Sequence, residues 1–116
     1  MAVKRLVTNV ATQDPKAAKA FYGDILGMSV AMDQGWIITF QSEGKAPPQV
    51  SIASSGGSDT SVPDISIEVD NFSEVFGRVL KAGLAIEYGP VVEPWGVRRF
   101  YTRDPFGRLV NILTHV

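Results

Sequence analysis

Cysteine is absent from this chain of 116 residues. That excludes disulfides, thiolate nucleophiles and cysteine-ligated zinc. Histidine is nearly absent as well: His115, second from the end, is the only one. A Ser-His-Asp arrangement would have to use that single terminal imidazole as its base, which makes it a poor reading. No apolar run approaches the ~18 residues of a membrane span. The start, MAVKRLVTNV, lacks the apolar stretch of a signal peptide, so a cytoplasmic protein with no membrane partner is expected. Eleven basic against twelve acidic residues give a net charge of -1. No whole-protein field draws in nucleic acid, and no basic stripe interleaved with aromatics is present, so no nucleic-acid partner is expected.

What is present is ordinary for a folded domain, with 45% hydrophobic and 20% charged residues. Lys4 to Ala11 reads as a strand, rich in β-branched residues and ended by Thr12-Gln13-Asp14-Pro15. Asp14 as N-cap and Pro15 in the first turn start a helix. Its expected apolar face is Ala18, Phe21, Tyr22, Ile25 and Leu26, and Gly27 is its left-handed stop. Strands are expected at Met28–Asp33, Trp36–Gln41 and Val50–Ser54, with a longer loop around Pro47-Pro48.

The order then repeats. A Ser/Gly-rich linker leads to a strand at Asp64–Asp70, then to a helix capped by Asp70 or Asn71. Its stripe is Phe72, Val75, Phe76, Val79 and Leu80, and its stop is Gly83. Strands follow at Ala85–Val92, Val97–Arg103 and Arg108–Val116, with Asp104-Pro105-Phe106-Gly107 turning the last pair. Asp14 to Gly27 spans 13 residues, and so does Asp70 to Gly83, at an offset of 56. A module this small cannot cover its own sheet. The predicted fold is therefore α+β: paired βαβββ modules forming a curved, mostly antiparallel sheet with helices outside, which the resemblance below makes cup-shaped. The chain is expected to be one domain, with modules at about 4–54 and 64–116 joined by the linker 55–63.

Phe21-Tyr22, Leu26-Gly27, the linker, the second module, Trp95-Gly96 and Asp104-Pro105-Phe106-Gly107, in this order, resemble the vicinal oxygen chelate superfamily. It contains glyoxalase I, extradiol dioxygenases and bleomycin-resistance proteins, and the resemblance covers essentially the whole chain. It implies a cup around a small-molecule site, commonly within a dimer. Fold membership does not fix function, since metalloenzymes and metal-free binders share the scaffold.

The enzymes of this superfamily hold a divalent metal with His, Glu or Gln from both modules. By this resemblance the first histidine position falls on Val7 and its counterpart near Asp64. The last-strand glutamate falls on Asn111, and the fourth-strand ligand near Gln49, Ser51 or Ala53. Divalent transition metals want imidazole, thiolate or ionised carboxylate. Asp64 is the one anion in that set, and Glu68 on the same strand face could add a second. No metal or other cofactor is expected.

Strand alternation separates cup from core. Val7, Asn9 and Ala11 are expected to face inward, with Leu6, Thr8 and Val10 toward the helices. Ile65, Ile67, Val69 and Phe100 are assigned to the core, and Asp64, Ser66, Glu68, Arg99, Tyr101 and Arg103 to the cup. Tyr101 lies ten residues before Asn111, the spacing at which extradiol dioxygenases, by resemblance, carry an active-site tyrosine. Trp36, Phe40, Tyr88 and Trp95 are candidate aromatic walls for a planar ligand. Arg98 and Arg99 could clamp an anion, and His115 shares strand parity with Asn111. The expected ligand-binding set is thus Asn9, Trp36, Phe40, Asp64, Glu68, Trp95, Arg99, Tyr101, Asn111 and His115, with no catalytic residue assigned. The expected function is metal-free binding of an aromatic or amphipathic compound by a homodimer of the bleomycin-resistance type, with resistance by sequestration as an extension. The alternative is a metal-dependent lyase, isomerase or dioxygenase with the atypical ligands Asp64, Glu68 and His115.

Overall fold

The structure is a computed structural model that describes residues 3–42 and 49–116. The expected loop around Pro47-Pro48 lies outside the described residues. The fold class is the one expected: α+β, with two βαβββ modules of mostly antiparallel strands. The strands are β1 (Val3–Ala11), β2 (Ser29–Asp33), β3 (Ile37–Gln41), β4 (Gln49–Ala53), β5 (Ile65–Val69), β6 (Tyr88–Glu93), β7 (Val97–Arg103) and β8 (Leu109–His115). Among the described residues no helix is long and apolar enough to cross a membrane.

The chain divides into two compact units, and β1 belongs to both. Its first residues, up to Leu6, go with Pro63–Val116, while the rest goes with Val7–Val62. Both units are built alike. In the first module the strand order is β2-β3-β4-β1, with β1 parallel to β4 (Thr8 opposite Val50, Val10 opposite Ile52) and the other pairs antiparallel. In the second the order is β5-β8-β7-β6, with β5 parallel to β8 (Ser66 opposite Asn111). A parallel pair needs a long crossover, and the helix after the first strand begins it in each module.

In the first module Ile38, Phe40 and Ile52 are buried against Ala18, Tyr22, Met28 and Val50. Phe40 has no exposed surface, and its ring lies 5.7 Å from that of Tyr22. This corrects the reading of Phe40 as a ligand wall: it shares the inner face of β3 with Ile38 and is consumed by the core.

The first helix also departs from expectation. After a 3-10 turn at Pro15–Ala17, Lys19–Ile25 forms a π-helix, in which the Leu26 N–H donates to the Phe21 carbonyl at 3.0 Å. A wider turn carries more residues, so Ala18 and Tyr22 stay over the sheet while Phe21 and Ile25 rotate off it. Phe21, Ile25 and Leu26 are 52%, 71% and 55% exposed. Nor does helical cover reach Leu6 or Val10, both exposed. Asp14 makes no side-chain cap; its own N–H is held by Thr12 Oγ1 instead.

Gly27 ends this helix as predicted, at φ +74° with open space where a Cβ would stand. The cost of a side chain there is therefore backbone strain alone. Gly27→Val is expected to lower stability by more than ~1 kcal/mol in urea titrations, because β-branched residues resist positive φ. An unchanged midpoint would show that the helix ends elsewhere.

In the second module α1 (Phe72–Lys81) lays Phe72, Val75, Phe76 and Val79 on Ile67, Val69, Phe100, Val110 and Ile112. The Phe100 ring meets Phe72 and Phe76 edge-on at 5.5 and 5.1 Å. Each aromatic buried in this way contributes roughly 2 kcal/mol of apolar transfer. Leu80, expected in the stripe, is exposed because it lies one step past the face that Phe72, Val75, Phe76 and Val79 define. Gly83 stops the helix at φ +77°.

Candidate functional site

With Phe100, Val110 and Ile112 turned to α1, strand alternation turns Tyr101 and Arg99 on β7, Asn111 and His115 on β8, and Ser66 and Glu68 on β5 to the opposite face. The pairing sets Ser66 and Tyr101 on either side of Asn111, in one row across three strands. Asn111 Nδ2 donates to Ser66 Oγ at 3.1 Å. Asn111 Oδ1 is buried and, among the described residues, accepts no hydrogen bond.

Beside that row lies a buried ion pair. Arg99 Nε donates to Glu93 Oε2 at 2.7 Å, with 4% and 3% of the two side chains exposed. The Tyr88 hydroxyl donates to the same carboxylate oxygen at 2.8 Å. Arg99 Nη1 donates to the Tyr101 hydroxyl oxygen at 2.8 Å. The guanidinium carbon stands 4.9 to 5.3 Å from the ring centres of Tyr101, Trp95 and Tyr88, within cation–π range. Arg99 is thus an internal cation in an aromatic cage, which corrects the reading of an Arg98–Arg99 anion clamp. Arg98 is on the other face, its guanidinium 4.3 Å above the Phe72 ring. Glu93 was missed in the sequence. Its signal was a carboxylate closing the apolar run Val91-Val92 on a strand hairpinned to one carrying two arginines.

A second charged group gathers at Glu68. Its carboxylate meets His115 Nδ1 at 2.8 Å, Arg5 Nε at 3.2 Å and Lys4 Nζ at 3.7 Å. Burial opposes ionisation of Glu68, but the His115 hydrogen bond and the charges of His115, Arg5 and Lys4 outweigh it and hold its carboxyl below the ordinary 4.5. A lowered folded pKa contributes stability that is present above the unfolded value and is lost as pH falls through the folded one. Wild type should therefore lose stability below about pH 4.5 more steeply than Glu68→Gln. Identical acid limbs in denaturant titrations would show that the cluster is not formed.

Asp64 is spent on the backbone: its Oδ2 accepts the Leu109 N–H at 2.9 Å. Asn9 lies in the first module opposite Ser51, whose hydroxyl bonds Thr39 Oγ1 at 2.7 Å. Trp36 is half-buried in the same module, before β3. The structure thus brings Trp95, Arg99, Tyr101 and Asn111 together on one face of the second module. Glu68 and His115 form a separate cluster on that face, while Asp64 precedes β5 beside Leu109, at the other end of β8 from His115.

These side chains do not fit the divalent metal that the superfamily's enzymes carry. At the positions implied for ligands stand Val7, which is buried and apolar, Asp64, which is committed to a backbone N–H, and Asn111, whose Oδ1 is a neutral oxygen. The fourth falls on Gln49, whose amide bonds Gln41, on Ser51, whose hydroxyl bonds Thr39, or on apolar Ala53, none of them anionic. Among the described residues no group of three or more His, Asp or Glu could hold a metal ion. Oxygen-loving cations need more ionised carboxylates than this set supplies.

A family model described as Glyoxalase/Bleomycin resistance protein/Dioxygenase superfamily matches residues 4–112. No curated protein matches the chain. Among similar solved structures is a methylmalonyl-CoA epimerase from Streptomyces coelicolor in complex with 2-nitronate-propionyl-CoA. It has TM-score 0.76 and 14% identity, with 99% of each chain covered. A structure described as an NAD-dependent benzaldehyde dehydrogenase from Legionella pneumophila has TM-score 0.75 and 12% identity, over 97% of this chain and 100% of that one. A glyoxalase/bleomycin resistance protein/dioxygenase superfamily member from Vibrio splendidus has TM-score 0.66 and 17% identity, over 97% and 98%. At these identities the likeness is one of fold.

Proposed function

We propose, from the premise that this chain belongs to the glyoxalase/bleomycin resistance protein/dioxygenase superfamily, that it binds a small organic compound reversibly without a resident metal. The observation that carries this reading is the Ser66–Asn111–Tyr101 row. Where the superfamily's enzymes would place an anionic ligand, this chain has a neutral amide with an unfilled acceptor. The half-buried Trp95 on the same face supplies aromatic surface, which suits an aromatic or amphipathic ligand. Resistance by sequestration, in the manner of bleomycin-resistance proteins, requires only such affinity. The protein acts in the cytoplasm as a homodimer in this reading, supported by the exposed apolar side chains Phe21, Ile25 and Leu26 of the first module.

The test is elemental analysis of protein purified without chelator or affinity metal, with native mass spectrometry of the same sample. The expected result is a dimer with metal far below one per chain, and any co-purified organic mass identifies the ligand. Near-stoichiometric metal that survives dialysis would overturn the proposal in favour of a metal-dependent lyase, isomerase or dioxygenase.

A further inference from the structure

Asn111 is 6% exposed, and its two side-chain polar atoms have different fates. Nδ2 is committed to Ser66 Oγ, whereas Oδ1 is closed to bulk water and has no donor among the described residues. A buried acceptor left unfilled carries its full desolvation cost, and a donor brought in with a ligand recovers it. The surrounding charges favour the same partner. The positive charge of Arg99 is balanced by Glu93 at 2.7 Å, so it offers little net attraction to an anion. The carboxylates flanking Ser66 two residues to either side, Asp64 just before β5 and Glu68 on it, bring no net positive charge to the row.

We infer that Asn111 is a specificity-determining residue that selects ligands presenting a carboxamide-type N–H donor and rejects carboxylates. The inference rests on the binding reading above and names the chemistry of its ligand. An N–H pointed at Oδ1 completes the amide's hydrogen bonding. A carboxylate in the same place would oppose one acceptor with another, leaving both unsatisfied. Seating the ligand requires the side chains over Oδ1 to part, so Ser66 and Tyr101 are expected to respond along with Asn111.

The experiment uses benzamide and benzoate, which share a ring and differ at the head group. Each is titrated into the isotopically labelled full chain at neutral pH and followed by amide chemical shifts. Benzamide is expected to bind at least about tenfold more tightly than benzoate, an intrinsic difference of ~1.4 kcal/mol. Shifts should centre on Ser66, Tyr101 and Asn111. Asn111→Leu is expected to abolish the preference. Asn111→Asp, which keeps the shape and adds a charge, should turn the preference toward benzylammonium and covers the case in which the leucine variant does not fold. Equal binding, or tighter benzoate, centred on these residues would overturn the inference and leave the binding reading intact. Absence of any shift near Asn111 with either probe would overturn the binding reading at this site, and the inference with it.

Discussion

Gly89→Ala is expected to cost about 3 kcal/mol of folding stability, one of the two largest single effects in the chain. Gly89 sits at φ +77° in the irregularity where β6 slips against β7 between Tyr88 and Val91. A Cβ built there would lie 2.5 Å from the Arg99 carbonyl oxygen, 3.1 Å from the Val91 nitrogen and 3.2 Å from the Phe100 Cα. All three are backbone atoms, so no side chain can swing away. The left-handed backbone costs an L-residue roughly 1–2 kcal/mol, and overpacking against fixed neighbours roughly 1–3 kcal/mol more. Because a domain is typically stable by only about 5–15 kcal/mol, urea midpoints should register this clearly. Gly107→Ala is the control, since Gly107 has φ +83° with nothing within 4 Å of its built Cβ. It should show the backbone cost alone. If the two variants lose the same stability, β6 does not lie as closely on Arg99 and Phe100 as described.

The second large effect concerns the buried pair. Glu93→Leu would leave the Arg99 guanidinium without its carboxylate and the Tyr88 hydroxyl without its acceptor. Breaking one partner of a buried pair typically costs about 3–5 kcal/mol, mostly through the charge left behind. Arg99→Met should be costly for the mirror reason, and it also removes the donor to Tyr101. The double variant should cost well under the sum of the singles, because no uncompensated charge remains. Strict additivity in this cycle would mean that the two groups are independently solvated rather than paired.

Much of the fold was legible in local chemistry. Pro15 in the first turn, Gly27 and Gly83 at helix ends, and the repeat offset of 56 residues located both modules. Ile67 and Val69 pack under α1 as the alternation implies, which turns Ser66 and Glu68 to the opposite face, since side-chain direction in a strand has a period of two. The helical assignments failed where the turn itself changed. Phe21 and Ile25 fit an α-helical stripe, but the bonding from Leu26 to Phe21 widens the helix and turns them outward. No local pattern signals such a widening.

The candidate site was less legible. Asn111 and Tyr101 were named through the family resemblance and strand parity, and Trp95 from its chemistry, yet whether an aromatic lines a face or fills a core depends on what packs against it. Phe40 and Trp36 both read as possible walls, and only the packing of Tyr22 and Ile52 against Phe40 assigned it to the core. Arg99 read as an anion clamp because its partner, Glu93, lies across a hairpin, where a sequence shows no distance.

The sequence by itself determined the class of fold, the doubled plan and the lack of cysteine and near-lack of histidine, because composition, punctuation and strand alternation are local properties of the chain. Only the tertiary structure decided that Arg99 is neutralised inside an aromatic cage, that Asp64 is spent on a backbone N–H, and that Asn111 keeps an unfilled acceptor. Those outcomes depend on which strands become neighbours and on what remains after each polar group has found its partner.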